Sequence, residues 1–272
     1  MAGERLSFGD AADRYDRARP SYPPAAAAWL VGARPARVLE LGAGTGKLTE
    51  QVVALGHEVF ATDPDERMLR LLQARVSGAH ACCGAAERIP VASRSVDVVV
   101  AAQSFHWFDR ARALPEIARV LRPGGVLALV WNERDEAIPW VRRLGRLNGT
   151  PEMERDPVRL LGDDRHFGWV DSASYRHWQD LDRAGLLDLV ASRSNVAVMT
   201  PDEREKTLRE VGELYDGFGR GHDGMRLPYV TRCYRTVVQR QDPEDGTQPD
   251  ADTEAPPPAE PEDPGTLLID FR

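Results

Sequence analysis

The sequence predicts an α/β fold in three layers, with helices on both faces of a mainly parallel sheet, and three observations carry that prediction. Short apolar runs alternate with stretches of helical periodicity through the first half of the chain, the pattern of βαβ units. One of those runs, Val96–Ala101, is nearly all β-branched, as suits a strand covered on both faces. A glycine-rich turn, Gly42-Ala43-Gly44-Thr45-Gly46, falls where a strand gives way to a helix, at the edge where doubly wound sheets hold ligands.

The first strand is Arg37–Leu41, and Leu48, Val52 and Leu55 then mark one helical face that ends at Gly56. Glu58–Thr62 is the second strand. Asp65–Val76 follows as a helix with Met68, Leu71, Leu72 and Val76 inward, then Ala79–Gly84 as the third strand and Val96–Ala101 as the fourth. A helix ending near Leu121, with Pro115 in or near its first turn, leads through Pro123-Gly124-Gly125 to a fifth strand, Val126–Trp131. Beyond Asn132 the pattern gives helices at about 137–148, 174–184 and 202–214 and strands at about 187–198 and 227–238. No internal repeat is visible.

Residues 241–272 hold ten acids against one arginine, a net −9 of the chain's total −8, so residues 1–240 carry +1. This segment, rich in Pro and acids, has little to bury and is expected to be a disordered tail behind one domain of residues 1–240. Leu267, Leu268, Ile269 and Phe271 at its end are apolar enough to dock. A neutral body disfavours nucleic acid as a partner. No run reaches the roughly 18 residues of a membrane span, and the acid-bearing N-terminus lacks a signal peptide's apolar region, so a cytoplasmic location with no membrane partner is expected. Three cysteines, two of them adjacent at Cys82 and Cys83, form neither a disulfide framework nor a metal set; the adjacent pair is expected to be small buried hydrophobes.

The glycine turn sorts its ligands by spacing. A phosphate loop needs GxxxxGK[ST], but Leu41 and Leu48 stand at its ends; a dinucleotide loop needs GxGxxG, but Lys47 stands where its third glycine belongs. An acidic residue, Glu40, followed by GxGxG resembles motif I of class I S-adenosylmethionine-dependent methyltransferases. That ligand bears an ammonium and a sulfonium, which a carboxylate favours. Asp63, at the end of the second strand, stands where the resemblance implies a ribose-binding carboxylate. Gly84-Ala85-Ala86-Glu87-Arg88-Ile89-Pro90 resembles the family's adenine-binding GDAExLP segment, with Ala85 where the aspartate is usual. Leu121-Arg122-Pro123-Gly124-Gly125 resembles its LRPGG turn.

Phe105-His106-Trp107-Phe108, the opening Tyr15-Asp16-Arg17-Ala18-Arg19-Pro20-Ser21-Tyr22-Pro23 and Leu227–Arg232 together resemble the type 11 small-molecule methyltransferases, including relatives of trans-aconitate methyltransferase. The resemblance implies a Rossmann-like three-layer sandwich of seven strands whose last strand runs antiparallel between its neighbours. It implies S-adenosyl-L-methionine as cofactor, held by Glu40, Gly42, Ala43, Gly44, Gly46, Asp63 and Pro64, with Ala86 and Glu87 at the adenine and Tyr15 and Arg19 near the methionine end. Arg19 either pairs with the cofactor's carboxylate or caps a surface loop. The acceptor is a small molecule methylated at a carboxylate, hydroxyl, amine or carbon. The alternative is a catalytically silent module of the same fold that acts through its tail.

Methyl transfer from a sulfonium rests chiefly on alignment, and a base matters only where the acceptor holds a proton. His106, just past the fourth strand, is the candidate base; its rival role is packing within the aromatic cluster. No [DNS]PP[YFW] motif follows the fourth strand, where Ala101-Ala102-Gln103-Ser104 stands, and no Pro-Cys pair exists, which disfavours base and amide methylation by those routes. Of Trp131, Trp140, Phe167, Trp169, Tyr175, Trp178 and Tyr229, most are expected in the core and some over an acceptor pocket.

Overall fold

The computed structural model describes residues 19–147, 161, 164–193, 196, 198–218 and 224–239. Tyr15 and the segment 241–272 lie outside them. The elements in order are α1 (Pro24–Val31), β1 (Arg37–Leu41), α2 (Lys47–Ala54), β2 (Glu58–Asp63), α3 (Glu66–Arg75), β3 (Ala79–Cys83), β4 (Val96–Ala102), a 3₁₀ turn (Phe105–Trp107), α4 (Arg110–Val120), β5 (Leu121–Arg134), α5 (Pro139–Leu147), β6 (Phe167–Leu181), α6 (Arg183–Ala191), α7 (Pro201–Phe218) and β7 (Met225–Val238).

Seven strands form one sheet in the order β3-β2-β1-β4-β5-β7-β6. β3 through β5 are parallel, and β7 runs antiparallel to both β5 and β6 between them. Alternation along the central strands separates the layers. Val38, Val98, Val100, Ala128 and Val130 bury against α1 and α2 through Ala26, Ala27, Leu30, Leu48 and Val52. Leu39, Leu41, Val99, Ala101, Leu127 and Leu129 point the other way, toward Ala113, Leu114, Ile117 and Ala118 of α4. A further core gathers Val141 and Leu144 of α5, Leu186, Leu189 and Val190 of α6, and Val211 and Leu214 of α7 onto Leu181, Met225 and Leu227. It forms a helical cap beside the antiparallel end of the sheet. Among the described residues no helix is long and apolar enough to cross a membrane.

Two sequence expectations are exchanged in that region. The helix expected at 174–184 is strand: β6 pairs with β7 from Val170 to Leu181. As an edge strand with polar residues on both faces, it carries no apolar run to announce itself. The strand expected at 187–198 is α6 over its first part. Asp182 caps that helix by accepting from the Gly185 amide at 2.7 Å, and Leu186, Leu189 and Val190 bury at i, i+3, i+4. α5 and α7 stand where helices were expected.

Smaller corrections follow from packing. α1 was not anticipated, although a proline opening an alanine-rich run is a helix start. Pro115 is the sixth residue of α4, past its first turn, where its ring removes one helical hydrogen bond. Pro123-Gly124-Gly125 is a bulge inside β5, which pairs Leu121 with Val96 before resuming at Val126 opposite Val98. Leu69, rather than Met68 or Leu71, joins Leu72 and Val76 in the core, and Leu55 is exposed. On the edge strand β3, Cys82 is half-buried and Cys83 exposed, not buried as expected.

Candidate functional site

The parallel strands end at a common edge, and the chain between β1 and α2 folds back over it. The Ala43 amide donates to the Thr62 carbonyl at 3.0 Å and the Gly46 amide to the Ala43 carbonyl at 3.0 Å, which fastens the loop to β2. Its three glycines answer to different neighbours. A Cβ on Gly42 would lie 2.6 Å from the Ser104 Cβ, and one on Gly46 2.8 Å from the Leu72 Cγ, so both are needed for close packing. Gly44, at φ +56°, has open space where its Cβ would point. There the positive φ turns the backbone, and the room beside it is available to a ligand.

Asp63 closes the same edge. Its Oδ2 accepts from the Gly44 amide at 2.9 Å and its Oδ1 from the Asp65 amide at 2.9 Å. One carboxylate thus joins the glycine loop to the start of α3, and each oxygen keeps lone-pair capacity for a further donor. Pro64, next to it, is exposed and its carbonyl meets the Cys83 thiol at 3.7 Å.

Glu40 lies under the loop, 1% exposed. Thr49 donates its hydroxyl to Glu40 Oε2 at 2.6 Å, and Thr62 donates to the Glu40 carbonyl at 3.3 Å. Burial pushes the Glu40 carboxyl up to about 8, against the Thr49 hydrogen bond and with a further push from Asp63. In the protein by itself this group is therefore neutral at pH 7 rather than the standing charge the sequence suggested; a cation brought near would favour its ionised form.

The segment after β3 divides its expected contacts. Ala85 is exposed, Ala86 belongs to the main core, and Glu87 accepts from the Asp109 amide at 2.8 Å, holding the start of α4. Glu87 Oε1 thus serves as a tether, and the Ala85 carbonyl accepts from the Arg88 amide at 3.1 Å. The aromatic cluster after β4 is also structural in part. Phe105 is fully buried, with Phe108 edge-on to it at 5.7 Å, and Ser104 donates to the Leu41 carbonyl at 2.7 Å beneath Gly42. His106 is half-buried on the 3₁₀ turn, its ring 4.9 Å from that of the exposed Trp107.

A cavity of about 330 Å³ adjoins the loop, lined by Arg19–Pro23, by Lys47 directly after Gly46, and by His177–Gln179. Arg19 reaches across the cap and donates to the Ser192 carbonyl at 3.0 Å, so it ties the N-terminal segment to the end of α6. Trp178, more than half exposed, stands at this cavity, whereas Trp131, Phe167 and Tyr229 are buried and Trp169 is exposed away from it. Under the cavity, Asn132 on β5 donates to the Ser21 carbonyl at 3.1 Å and accepts from the Thr231 hydroxyl at 2.6 Å. Gln103, at φ +58°, donates to the Asn132 carbonyl at 3.1 Å. His177 and Asn132 were not singled out from the sequence, and Thr231 entered only within the Leu227–Arg232 resemblance: with β6 expected as a helix, nothing placed His177 at the ligand edge.

Comparison with known proteins agrees with this architecture. Residues 39–129 match the family described as a methyltransferase domain, of type 11. An uncharacterized methyltransferase of Mycobacterium tuberculosis is 47% identical over 236 residues, spanning 86% of this chain and 96% of that protein. An uncharacterized methyltransferase-like protein of Schizosaccharomyces pombe is 32% identical over 84% of this chain and 92% of its own length. A solved structure assigned as a type II methyltransferase of Anaeromyxobacter dehalogenans superposes with a TM-score of 0.60 at 26% identity, covering 82% of this chain and 97% of that one. The chain belongs to the class I S-adenosylmethionine-dependent methyltransferases. It is an enzyme of that family, with S-adenosylmethionine as the methyl donor.

Proposed function

We propose that this enzyme methylates a small-molecule acceptor in the cytoplasm, not a nucleic acid, and that the cofactor lies over the loop Gly42–Gly46. The observation that carries the site is the Gly44 amide bonded to Asp63 beneath open space. Asp63 would accept from both ribose hydroxyls, the backbone of Ala85 and Ala86 with Pro64 would line the adenine, and Glu40 would ionise beneath the cofactor's ammonium. Arg19, and Tyr15 ahead of it, would face the methionine carboxylate. The sulfonium supplies an already activated methyl; the protein's part is to align the acceptor with it and keep out water. A net charge of +1 over residues 1–240 supports a small acceptor over a phosphate backbone.

Calorimetric titration of S-adenosylhomocysteine into the full chain tests the site, with NAD as control ligand. Replacing Asp63 by Ala removes two charge-assisted hydrogen bonds of about 1.5 kcal/mol each, so affinity should fall about 100-fold. Equal affinity in wild type and Asp63→Ala would remove the ribose role.

A further inference from the structure

We propose that His177 is the base of this enzyme, its Nε2 taking the proton from an acidic hydroxyl, of phenol or enol type, seated in the cavity between Arg19–Pro23, Lys47 and Trp178–Gln179. This deepens the reading above and rests on it.

The argument begins with a proton count. Asn132 gives an amide hydrogen to the Ser21 carbonyl, which fixes its Oδ1 toward Thr231. The Thr231 hydroxyl has one hydrogen and donates it to that oxygen at 2.6 Å. At the 3.2 Å contact between Thr231 Oγ1 and His177 Nδ1 the hydroxyl can then only accept, so Nδ1 carries the ring proton. In the neutral imidazole the lone pair is therefore on Nε2. That atom is buried and has no hydrogen-bond partner among the described residues, on a side chain that lines the cavity. The ring is held in place by stacking on Tyr229, centroids 5.3 Å apart and planes 19° from parallel.

The charges around His177 keep it neutral. Arg19 and Lys47 line the same cavity. Tyr229, on β7, has a phenol pushed up to about 12 by burial despite Arg134, Arg193 and Arg19 acting on it, so it brings no negative charge. Arg134 has Glu136 at 3.8 Å, and Arg176 has Asp135 at 3.9 Å. Burial itself lowers the His177 pKa from its ordinary 6.5.

Such a base selects its acceptor. A carboxylate is already ionised and needs no base. An ammonium is disfavoured in a cavity lined by Arg19 and Lys47, whereas an oxygen gaining negative charge is favoured there. A neutral imidazole is a weak base, so the hydroxyl should be of the phenolic range, near pKa 10, rather than an alkyl alcohol. In the transfer the hydroxyl proton passes to Nε2 and the oxygen lone pair forms the bond to the methyl carbon. The carbon–sulfur bond breaks with its electrons on sulfur. The products are a methyl ether, S-adenosylhomocysteine and an imidazolium that returns its proton to water. Thr231 and Asn132 are positioning residues that set the tautomer.

The test uses 4-nitrophenol, whose phenolate absorbs visible light and whose phenol does not, titrated into the full chain saturated with S-adenosylhomocysteine. Calorimetry on the same samples reports cofactor binding and with it the fold of each variant. In wild type the hydroxyl of the bound dye donates to the neutral Nε2, which holds the proton on the dye, so its ionisation midpoint should rise by about one pH unit, a tenfold loss of acidity. His177→Gln should abolish that shift, and Thr231→Val should reduce it, with S-adenosylhomocysteine affinity within about twofold of wild type in both. His106→Ala should retain it. Failure of the dye to bind, an unshifted midpoint in wild type, or a shift lost in His106→Ala but kept in His177→Gln would overturn the proposal. If S-adenosylhomocysteine itself fails to bind, the cofactor site falls and the proposal with it; if it binds and the midpoint of the bound dye is unshifted, the role of His177 falls alone.

Discussion

The two ends of the ligand edge are made of different materials. Over β1 and β2 the geometry is fixed by backbone: amides of Ala43, Gly44 and Gly46 and one carboxylate hold the loop, and side chains enter as packing that only glycine permits. Over β5, β7 and β6 it is fixed by side chains, through the relay from Ser21 to Asn132, Thr231 and His177. A backbone site suits a ligand that does not change, because any sequence that keeps the glycines and Asp63 rebuilds it. A side-chain site can be rewritten by single substitutions, which suits the acceptor pocket proposed for it.

The largest effect should come from deleting core side chains on either side of that divide. Leu129→Ala, in the sheet, and Leu186→Ala, in the cap, should each cost about 2 to 5 kcal/mol in chemical denaturation. The two should differ in hydrogen exchange. Leu186→Ala should raise exchange in α5, α6 and α7 while β1, β2 and β4 stay protected, since the cap has its own core. Uniform loss of protection in Leu186→Ala would show that the two regions open as one.

A smaller effect concerns pH. The Glu40 carboxyl is raised in the folded chain from 4.5 to about 8, so between those values the folded state holds a proton that the unfolded state has released. Stability of the cofactor-free protein should therefore be highest on this account below pH 4.5 and decline as pH rises through 8, by at most about 1.4 kcal/mol per pH unit. Glu40→Gln should flatten the profile. Denaturation midpoints of both proteins at pH 5, 7 and 9 provide the check, and parallel profiles would mean that Glu40 is charged throughout.

The smallest effect separates tether from ligand contact on the backbone side. Glu87→Ala removes the acceptor of the Asp109 amide and should cost about 1 kcal/mol of stability, with S-adenosylhomocysteine affinity changed less than about twofold. A tenfold loss of affinity by calorimetry would instead show Glu87 in contact with the adenine.

The same divide governs how much was legible in the sequence. Strands β1, β2, β4 and β5 are flanked on both sides and covered by helices, so burial on both faces writes apolar runs such as Val96–Ala101 into the chain. The glycine loop and Asp63 were legible because backbone geometry demands particular residues at fixed spacing. β6 has one neighbour and polar faces, and α6 is short, with Leu186, Leu187, Leu189 and Val190 crowded into a run that also suits a strand. His177 was hidden for that reason, since its meaning depends on pairing with Tyr229 across strands distant in sequence. The state of Glu40 was hidden by a different cause. A motif shows which acid is present, whereas its proton depends on how completely α2 and β2 enclose it.

The position of β7 sets the order in which the molecule can be completed. β6 precedes it in the chain but touches the rest of the sheet only through it. Until Met225–Val238 has been synthesised, β5 and β6 both present bare edges, one of 14 residues and the other of 15. A message truncated between Leu181 and Met225 would thus yield not a smaller enzyme but a sticky one, with two templates for strand addition and no strand to join them. Of the described strands, the last to leave the ribosome is the keystone of the sheet, and quality control acting on early termination products should meet this protein as an aggregation-prone client.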